Sequence, residues 1–469
     1  YAAAGPDGQP TIYINADWLQ GASDADLRLV LLEEIGHRFD TVMNGGVDTA
    51  GDEGQLFAAL FSGTPLSAGQ QASIATENDQ TTLTILGSQV AVEMSNFTPS
   101  TNTDNIAGTT GADTFTFTAQ NLIQSGDTFD GAAGTDSIVV SSTSGLALDF
   151  SGLNNTGTAG FLNMEALSFN NTSGTSSATF SSAQFGTGEI STSFAITGAA
   201  GTQQVVINLT AGATFSASSF TFNSWTSGTD TFSINGSTGA ENITGTSQAD
   251  QIDGGTGADT ITGGAGADTI TGGSGIDIYN YASGDAALSI GGSGTNGTIS
   301  GFDVILDFNP GTTAAGSEKI GFTAASILAN TTGSNGSDST LSLNTGNTVR
   351  SHSVNNGIIN FDDVNSFNAS VTLTSLSDVA AAVQYLQGND LGNAGVSAAF
   401  LATLGGQIST FIYIQPTASA GSGVLIELDG VQADSLSISG LTNQLAVLDT
   451  TAPATTAAVT GITDNVGII

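Results

Sequence analysis

The sequence predicts a mainly β protein: a parallel β-roll or β-solenoid of short repeats, flanked by β-rich domains, with a small α+β domain at the N-terminus. Three observations predict this class. A nine-residue pattern recurs between residues 236 and 280, short runs of β-branched and aromatic residues recur from residue 96 onward, and Gly, Ser, Thr and Asn fill much of the rest. Such a composition suits short strands joined by tight turns.

The charge balance restricts the partners. The 469 residues carry 42 Asp and Glu against four Lys and Arg, a formal net charge of −38. A chain so poor in cations cannot neutralise phosphates, which excludes nucleic acid and anionic membrane surfaces, and cations are the expected counterpart. No run of about 18 apolar residues occurs, so we expect no transmembrane segment. The absence of cysteine excludes disulfides and thiolate metal sites.

Composition and patterning divide the chain into five predicted segments. These are a small α+β domain (1–95), a β-rich repeat domain (96–235), the β-roll (236–290), a C-terminal β-rich domain (291–448), and a linker opening into a further β segment (449–469).

Three local predictions belong to these segments. In the C-terminal domain, apolar periodicity predicts a helix over 377–387, and the run 396–404 suggests a second helix. His352 lies in a polar stretch, so we expect it at the surface without a partner. Near the N-terminus, alternation over 81–94 predicts a hairpin.

The nine-residue pattern combines three features in register. A glycine opens each unit, at positions 236, 245, 254, 263 and 272. An acid follows five residues later, and a large side chain stands two residues after the acid. The acids are Glu241, Asp250, Asp259, Asp268 and Asp277, and the large residues are Ile243, Ile252, Ile261, Ile270 and Tyr279.

Each feature has a physical reason. Glycines permit positive φ and let carbonyl oxygens converge, and the triplet after the acid forms a strand whose middle residue points inward. Two units make one coil, so Glu241, Asp259 and Asp277 line one edge while Asp250 and Asp268 line the other. Coils about 4.8 Å apart bring these carboxylates into repulsion. A hard cation held by about six to eight oxygens removes that repulsion, and calcium accepts such a carbonyl-rich cage better than magnesium.

The spacing resembles the G-G-x-G-x-D-x-U-x signature of the RTX calcium-binding β-roll. RTX proteins are bacterial secreted proteins, usually exported unfolded by type I secretion, so the resemblance implies an extracellular or cell-surface location. A glycine-rich linker is the alternative interpretation. The expected calcium-site residues are Asp250, Gly254, Gly255, Gly257, Asp259, Gly263, Gly264, Gly266, Asp268, Gly272, Gly273, Gly275 and Asp277.

Fainter copies of the pattern precede the array. Asp104 and Asp113 are nine residues apart, as are Asp127 and Asp136, and each is followed two residues later by a large apolar side chain. These four acids predict a second calcium-loaded coil. With the stretch "FLNMEALSF" (161–169), the region resembles the repeat-bearing part of RTX-type surface-layer proteins.

The N-terminal stretch "LLEEIGHRFD" (31–40) resembles the H-E-x-x-H helix of zinc metallopeptidases. Glu34 matches the general base and His37 the second ligand, whereas Glu33 replaces the first histidine. Glu33, His37 and Asp40 share one helix face and could hold one zinc or calcium ion. The alternatives are an inactive metal site and a purely structural Glu–His pair on a solvated face.

These features predict an extracellular calcium-binding structural protein of a bacterial surface, which folds with calcium and self-assembles into a surface layer, sheath or filament. Homo-oligomers are the expected partners, and a cell-surface polysaccharide is a further candidate. The alternatives are a monomeric surface adhesin and a secreted RTX metallopeptidase. We favour a protein without enzymatic activity.

Overall fold

The computed structural model describes residues 96–450 apart from short gaps, and a few segments before them. Predictions at Glu33, Glu34, His37 and Asp40, and those for 451–469, lie outside the described residues. The gaps are 110, 154–158, 283, 286–287, 323–324, 336–340, 364–366, 368–369, 389–395 and 416–422. The earlier segments are 2–4, 10–12, 31, 35, 80–85 and 88–93.

The N-terminal segments include two antiparallel strand pairs. Strand β1 (Ala2–Ala4) pairs with β2 (Pro10–Ile12). Strand β3 (Gln80–Ile85) pairs with β4 (Ser88–Glu93), which confirms the hairpin predicted from alternation. Leu31 and Ile35 are helical, in agreement with the predicted helix.

Short strands follow one another between residues 96 and 223. They are β5 (Asn96–Phe97), β6 (Asn105–Ala107), β7 (Thr114–Phe117), β8 (Thr128–Asp130), β9 (Ser137–Ser142), β10 (Ala147–Asp149), β11 (Gly160–Leu162), β12 (Met164–Asn171), β13 (Thr175–Ser181), β14 (Ile190–Thr197), β15 (Thr202–Asn208), β16 (Thr214–Ser216) and β17 (Thr221–Asn223).

The first of two compact units, unit 1, comprises residues 1–148, 152–172 and 186–197. Its repeat-bearing part contains two parallel sheets, in the orders β11-β8-β6 and β14-β12-β9-β7-β5. The middle residue of each short strand points inward, as period-two alternation requires. Phe117 and Phe129 meet edge to face, with ring centroids 5.2 Å apart. An aromatic core therefore fills the space between the inward faces.

The second unit, unit 2, comprises residues 149–151, 173–185 and 198–469. Its central strands are β18 (Thr231–Thr238), β19 (Asn242–Thr244), β20 (Asp250–Thr256), β21 (Thr260–Thr262), β22 (Thr269–Thr271), β23 (Ile278–Asn280), β24 (Ser289–Gly291), β25 (Thr298–Ser300), β26 (Asp303–Ile305) and β27 (Lys319–Gly321).

Successive strands of the array alternate between two parallel sheets. One contains β13-β15-β18-β20-β22-β26, and the other contains β16-β19-β21-β23-β27. Ile243 aligns with Ile261, and Ile252 aligns with Ile270, so two nonapeptides make one coil of 18 residues. Between Ile270 and its partner Ile305 the coil lengthens to 35 residues, because the antiparallel hairpin β24–β25 is inserted. The predicted mainly β fold with a parallel β-roll is confirmed.

The C-terminal part of unit 2 extends both sheets. Its strands are β28 (Ser326–Ile327), β29 (Thr331–Asn335), β30 (Ser351–Asn355), β31 (Ile358–Asp362), β32 (Val396–Leu404), β33 (Gln407–Ile414), β34 (Val424–Leu428), β35 (Ser435–Ser437) and β36 (Gln444–Leu448). The first sheet continues from β26 as β34-β33-β32-β31-β30-β29, and the second continues from β27 as β36-β35.

One helix, α1 (Leu376–Gln387), packs against the β24–β25 hairpin. Its N-terminus is capped by Ser375, whose hydroxyl accepts the backbone N–H of Asp378 at 3.2 Å. Val379 and Val383 of the helix are fully buried in a cluster that includes Phe400 and Phe411. The helix predicted over 377–387 is confirmed. Among the described residues, no helix is long and apolar enough to cross a membrane.

Two expectations for this region are wrong. Residues 396–404 form strand β32 rather than a helix, in antiparallel pairing with β33. A short apolar run that is buried on both faces lacks the alternation that distinguishes a strand from a helix. His352 is not a surface residue but is only 7% exposed. Its Nδ1 lies 2.7 Å from the hydroxyl of Tyr385, a partner 33 residues away that α1 supplies.

Candidate metal sites along the coil edges

The acids of the array form a ladder along each edge of the roll. On the first edge, the backbone N–H of Glu241 donates to Oδ1 of Asp259 at 2.7 Å. The N–H of Asp259 donates to Oδ1 of Asp277 at 2.8 Å. Each carboxylate is therefore fixed by the acid of the preceding coil, and the edge has the membership that the two-unit coil predicts.

The second edge follows the same rule. The N–H of Asp250 donates to Oδ1 of Asp268 at 2.9 Å, and the N–H of Asp268 donates to Oδ1 of Asp303, also at 2.9 Å. Asp250 begins this edge differently, because its carboxylate accepts hydrogen bonds from Thr246, the N–H to Oδ2 at 2.5 Å and the hydroxyl to Oδ1 at 2.8 Å. Thr246 therefore satisfies the first carboxylate of this edge.

The second carboxylate oxygen of most ladder acids has no protein partner. These oxygens are buried and accept no hydrogen bond: Glu241 Oε2, Asp259 Oδ2, Asp268 Oδ2, Asp277 Oδ2 and Asp303 Oδ2. An unpaired buried carboxylate oxygen is costly, since it has lost its hydration without compensation. A row of such oxygens is therefore expected to bind a ligand that offsets this cost.

The glycines leave room beside these oxygens. A Cβ on Gly254 would lie 2.6 Å from the carbonyl oxygen of Gly272 and 2.8 Å from Oδ2 of Asp259. A carbonyl of one coil and a carboxylate of another thus face the same space, which a larger residue would fill. Gly255 has φ +91° and Gly264 has φ +103°. These left-handed conformations explain why glycine stands at equivalent positions of successive units.

Burial and like charge act together on these carboxyls. Burial raises the pKa of both Asp250 and Asp303 to about 8, and the negative charge of the neighbouring Asp268 carboxylate adds to this effect. Burial also raises the pKa of Asp259 and of Asp268 to about 6. The sequence places no Lys, Arg or His between Arg38 and Lys319. No side chain of the array can therefore neutralise the ladders, and that leaves protons or a bound cation.

The donor set selects the cation. The array offers carboxylate and carbonyl oxygens, without thiolate or imidazole, which suits a hard cation such as calcium. No group of three or more His, Asp or Glu side chains converges on one point in the described part of the chain. Two carboxylates of neighbouring coils with several carbonyls therefore fit calcium better than zinc.

Two ladder members were not among the expected calcium-site residues, although Glu241 was predicted to lie on the first edge. Asp303 lies beyond the nonapeptide array, and Glu241 replaces the aspartate of the repeat. Both retain the signal of an acid followed two residues later by a buried apolar side chain, namely Ile305 after Asp303 and Ile243 after Glu241. The 35-residue spacing from Asp268 to Asp303 concealed the first of these.

The four upstream acids form two pairs in unit 1. The N–H of Asp104 donates to Oδ1 of Asp127 at 2.8 Å, and the N–H of Asp113 donates to Oδ1 of Asp136 at 2.8 Å. The structure thus brings together acids 23 residues apart rather than the nine-residue neighbours. The predicted zinc site at Glu33, His37 and Asp40, with Glu34 as base, lies outside the described residues.

Comparison with known families identifies the array. Residues 235–270 and 244–279 match the family model of the RTX calcium-binding nonapeptide repeat (4 copies). The chain therefore carries RTX repeats, which are calcium-binding modules, and the match covers residues 235–279. No curated protein sequence matches the chain.

Proposed function

We propose that the protein is an extracellular structural protein of a bacterial surface, which folds around calcium after export and then self-assembles into a surface layer, sheath or filament. The observation that carries this proposal is the row of buried, unpartnered carboxylate oxygens along both edges of the roll. The predicted sites at the array glycines and at Asp250, Asp259, Asp268 and Asp277 belong to the same proposal.

Calcium would act as a folding ligand. Extracellular calcium modules have dissociation constants of about 10⁻⁴–10⁻³ M. At a tenfold to hundredfold excess of calcium, each occupied site adds roughly 1.4–2.7 kcal/mol to the folded state. A few sites together match the whole stability of a small domain. The array would remain unfolded at low calcium and fold after type I secretion.

The surface chemistry supports the proposal of self-assembly. Among the described residues, Lys319 is buried and Arg350 is exposed, so ion pairs between copies are scarce. Strand β29 lies at one end of its sheet and contains no charged residue. An edge without lysine or proline is open to pairing with another strand. Calcium bridging facing carboxylates would lower the repulsion between copies and let such edges meet.

Sedimentation velocity of the full chain tests this proposal against the adhesin alternative. With millimolar calcium we expect species larger than the monomer, visible as sheets or filaments by negative-stain microscopy, and their loss on chelation. A single monomeric species at high protein concentration in calcium would reject self-assembly and favour an adhesin. Caseinolytic activity abolished by Glu34→Gln would instead favour a metallopeptidase.

A further inference from the structure

We propose that unit 1 holds a calcium site formed by Asp136 and the carbonyl oxygen of Asn163, with Glu165 as the carboxylate of the adjoining coil. This site lies outside residues 235–279, where the RTX repeats are matched. The inference rests on the proposed function only for the identity of the cation.

The unpartnered oxygen of Asp136 is the first observation. Asp136 is fully buried, and its Oδ1 accepts the backbone N–H of Asp113 at 2.8 Å. Its Oδ2 is buried and has no hydrogen-bond partner among the described residues. The N–H of Asp136 donates to Oε2 of Glu165 at 2.8 Å. Asp113, Asp136 and Glu165 therefore form a ladder with the hydrogen-bond pattern of Glu241, Asp259 and Asp277.

The space beside Gly131 is the second observation. A Cβ on Gly131 would collide with the carbonyl oxygen of Asn163 and with Oδ2 of Asp136. The corresponding atoms around Gly254 are the carbonyl oxygen of Gly272 and Oδ2 of Asp259. In both units, the oxygen of an acid five residues after a glycine faces a carbonyl of the next coil. The two spaces are thus built alike, although the glycine and the residue whose carbonyl it faces are 18 residues apart in the array and 32 apart in unit 1.

The strand pairing explains why the spacing can differ. Leu167, two residues after Glu165, aligns with Ile138, two residues after Asp136. Both apolar side chains are fully buried. The pairing of the inward residues therefore places the acid of one coil beside the acid of the next. A long loop between the two strands does not change this alignment. This is why a nine-residue pattern search does not find Glu165.

The charge at the site requires a cation. The Asp130 carboxylate accepts the side-chain amide of Asn163 at 2.7 Å and so fixes the residue whose carbonyl oxygen is a proposed ligand. The sequence places no Lys, Arg or His between Arg38 and Lys319. Buried charges are otherwise paired or coordinate a metal, and a donor set of carboxylate and carbonyl oxygens selects calcium over softer metals.

Hydrogen exchange of the full chain during a calcium titration tests this site. The readouts are peptides covering β9 and β12 in unit 1 and, separately, peptides covering 242–280. In the unsubstituted protein we expect both regions to gain protection with calcium. In Asp136→Asn we expect the calcium midpoint for β9 and β12 to rise about tenfold or more, since one charged ligand is lost. The midpoint for 242–280 should stay unchanged. Asp149→Asn, the same change at an exposed position, should leave both midpoints unchanged.

The outcomes separate this inference from the proposed function. Calcium-dependent protection of 242–280 without any in β9 and β12 would overturn the unit 1 site and leave the array intact. An unchanged β9 and β12 midpoint in Asp136→Asn would also overturn it. If Asp136→Asn leaves these strands unprotected at every calcium concentration, Glu165→Gln decides, because it keeps the acceptor for the N–H of Asp136. A raised midpoint in Glu165→Gln supports the site, and an unchanged one overturns it. Loss of calcium dependence at 242–280 alone would instead reject the proposed function.

Discussion

The backbone N–H of Asp259 donates to Oδ1 of Asp277, 18 residues later, at 2.8 Å, while Oδ2 of Asp277 is buried without a partner. The same carboxylate therefore ties two coils together and presents a bare oxygen to the space between them. The hydrogen bond holds successive coils in register. The bare oxygen gives it a need for a cation.

Removing one ladder charge should weaken calcium binding at one edge. We expect Asp259→Asn to raise the calcium concentration for half-maximal folding about tenfold, equivalent to about 1.4 kcal/mol, because one charged ligand is lost. Asp149→Asn is the matched control, since Asp149 is exposed and lies outside the array. Isothermal titration calorimetry measures the calcium affinity of both variants. Equal calcium affinities in the two variants would show that Asp259 does not bind the ion.

Filling the space beside an array glycine should have a similar effect without changing charge. In Gly254→Ala the methyl group would meet the carbonyl oxygen of Gly272 at 2.6 Å and Oδ2 of Asp259 at 2.8 Å. We expect lower calcium affinity and a loss of about 1–3 kcal/mol in the free energy of unfolding, as for overpacked interiors.

Gly152→Ala provides the control for this substitution. A Cβ at Gly152 meets nothing within 4 Å, so the free energy of unfolding should change little. Urea denaturation in millimolar calcium compares the two variants. A Gly254→Ala protein as stable as Gly152→Ala would show that the space is not needed.

The calcium-free protein should lose stability as the pH rises. Burial raises the pKa of Asp250 and of Asp303 from 3.8 to about 8. The folded state thus binds these protons more tightly than the unfolded chain does. The stabilisation is complete below about pH 4 and is lost as the pH rises to about 8. The β content of the calcium-free protein, measured by circular dichroism, should therefore fall between about pH 5 and about pH 8.

Saturating calcium should reverse this trend, because protons and calcium compete for the same oxygens. Calcium affinity should fall as the pH drops below about 6, where Asp259 and Asp268 take up protons. A calcium-free protein whose β content rises with pH over this interval would contradict the ladder electrostatics. Asp303→Asn should make the calcium-free dependence shallower.

Asp303 offers a test that the repeat pattern does not suggest. It follows the inserted β24–β25 hairpin and receives the N–H of Asp268 at 2.9 Å. We expect Asp303→Asn to lower calcium affinity at the edge that it shares with Asp268. Asp149→Asn is the control, because Asp149 is exposed and its carboxylate accepts the backbone N–H of Ser151, outside the array. Calorimetry that finds the same loss of affinity in both variants would remove Asp303 from the proposed ligands.

The sequence predicted the array well because its chemistry is local and periodic. Glycine, acid and apolar residue recur at fixed spacing, and this spacing determined the inward Ile ladder, the two-unit coil and the sorting of acids between edges. Asp303 and Glu165 were missed because loops of variable length separate them from the acids they contact. In both cases the inward residue after the acid still aligns with the inward residue of the neighbouring strand. Strand pairing sets that alignment, and the spacing along the sequence does not show it.

The errors in the C-terminal region have a related origin. The run 396–404 shows no alternation of apolar and polar residues, because most of its residues are buried whichever face of the strand they lie on. His352 appeared solvated because its neighbours in sequence are polar, whereas Tyr385 approaches it from α1. Burial decided by distant elements leaves no periodic signal in the sequence. The domain limits and the N-terminal metal site stay predictions.

Circular dichroism of the full chain, titrated from chelator into millimolar calcium, tests the central claim most directly. We expect β signal to increase cooperatively with calcium at concentrations of about 10⁻⁴–10⁻³ M. Magnesium at the same concentration should not replace calcium. The signal should return to its starting value when chelator is added again. A spectrum with full β content in chelator, unchanged by calcium, would contradict the claim that the carboxylate ladders need the ion to fold.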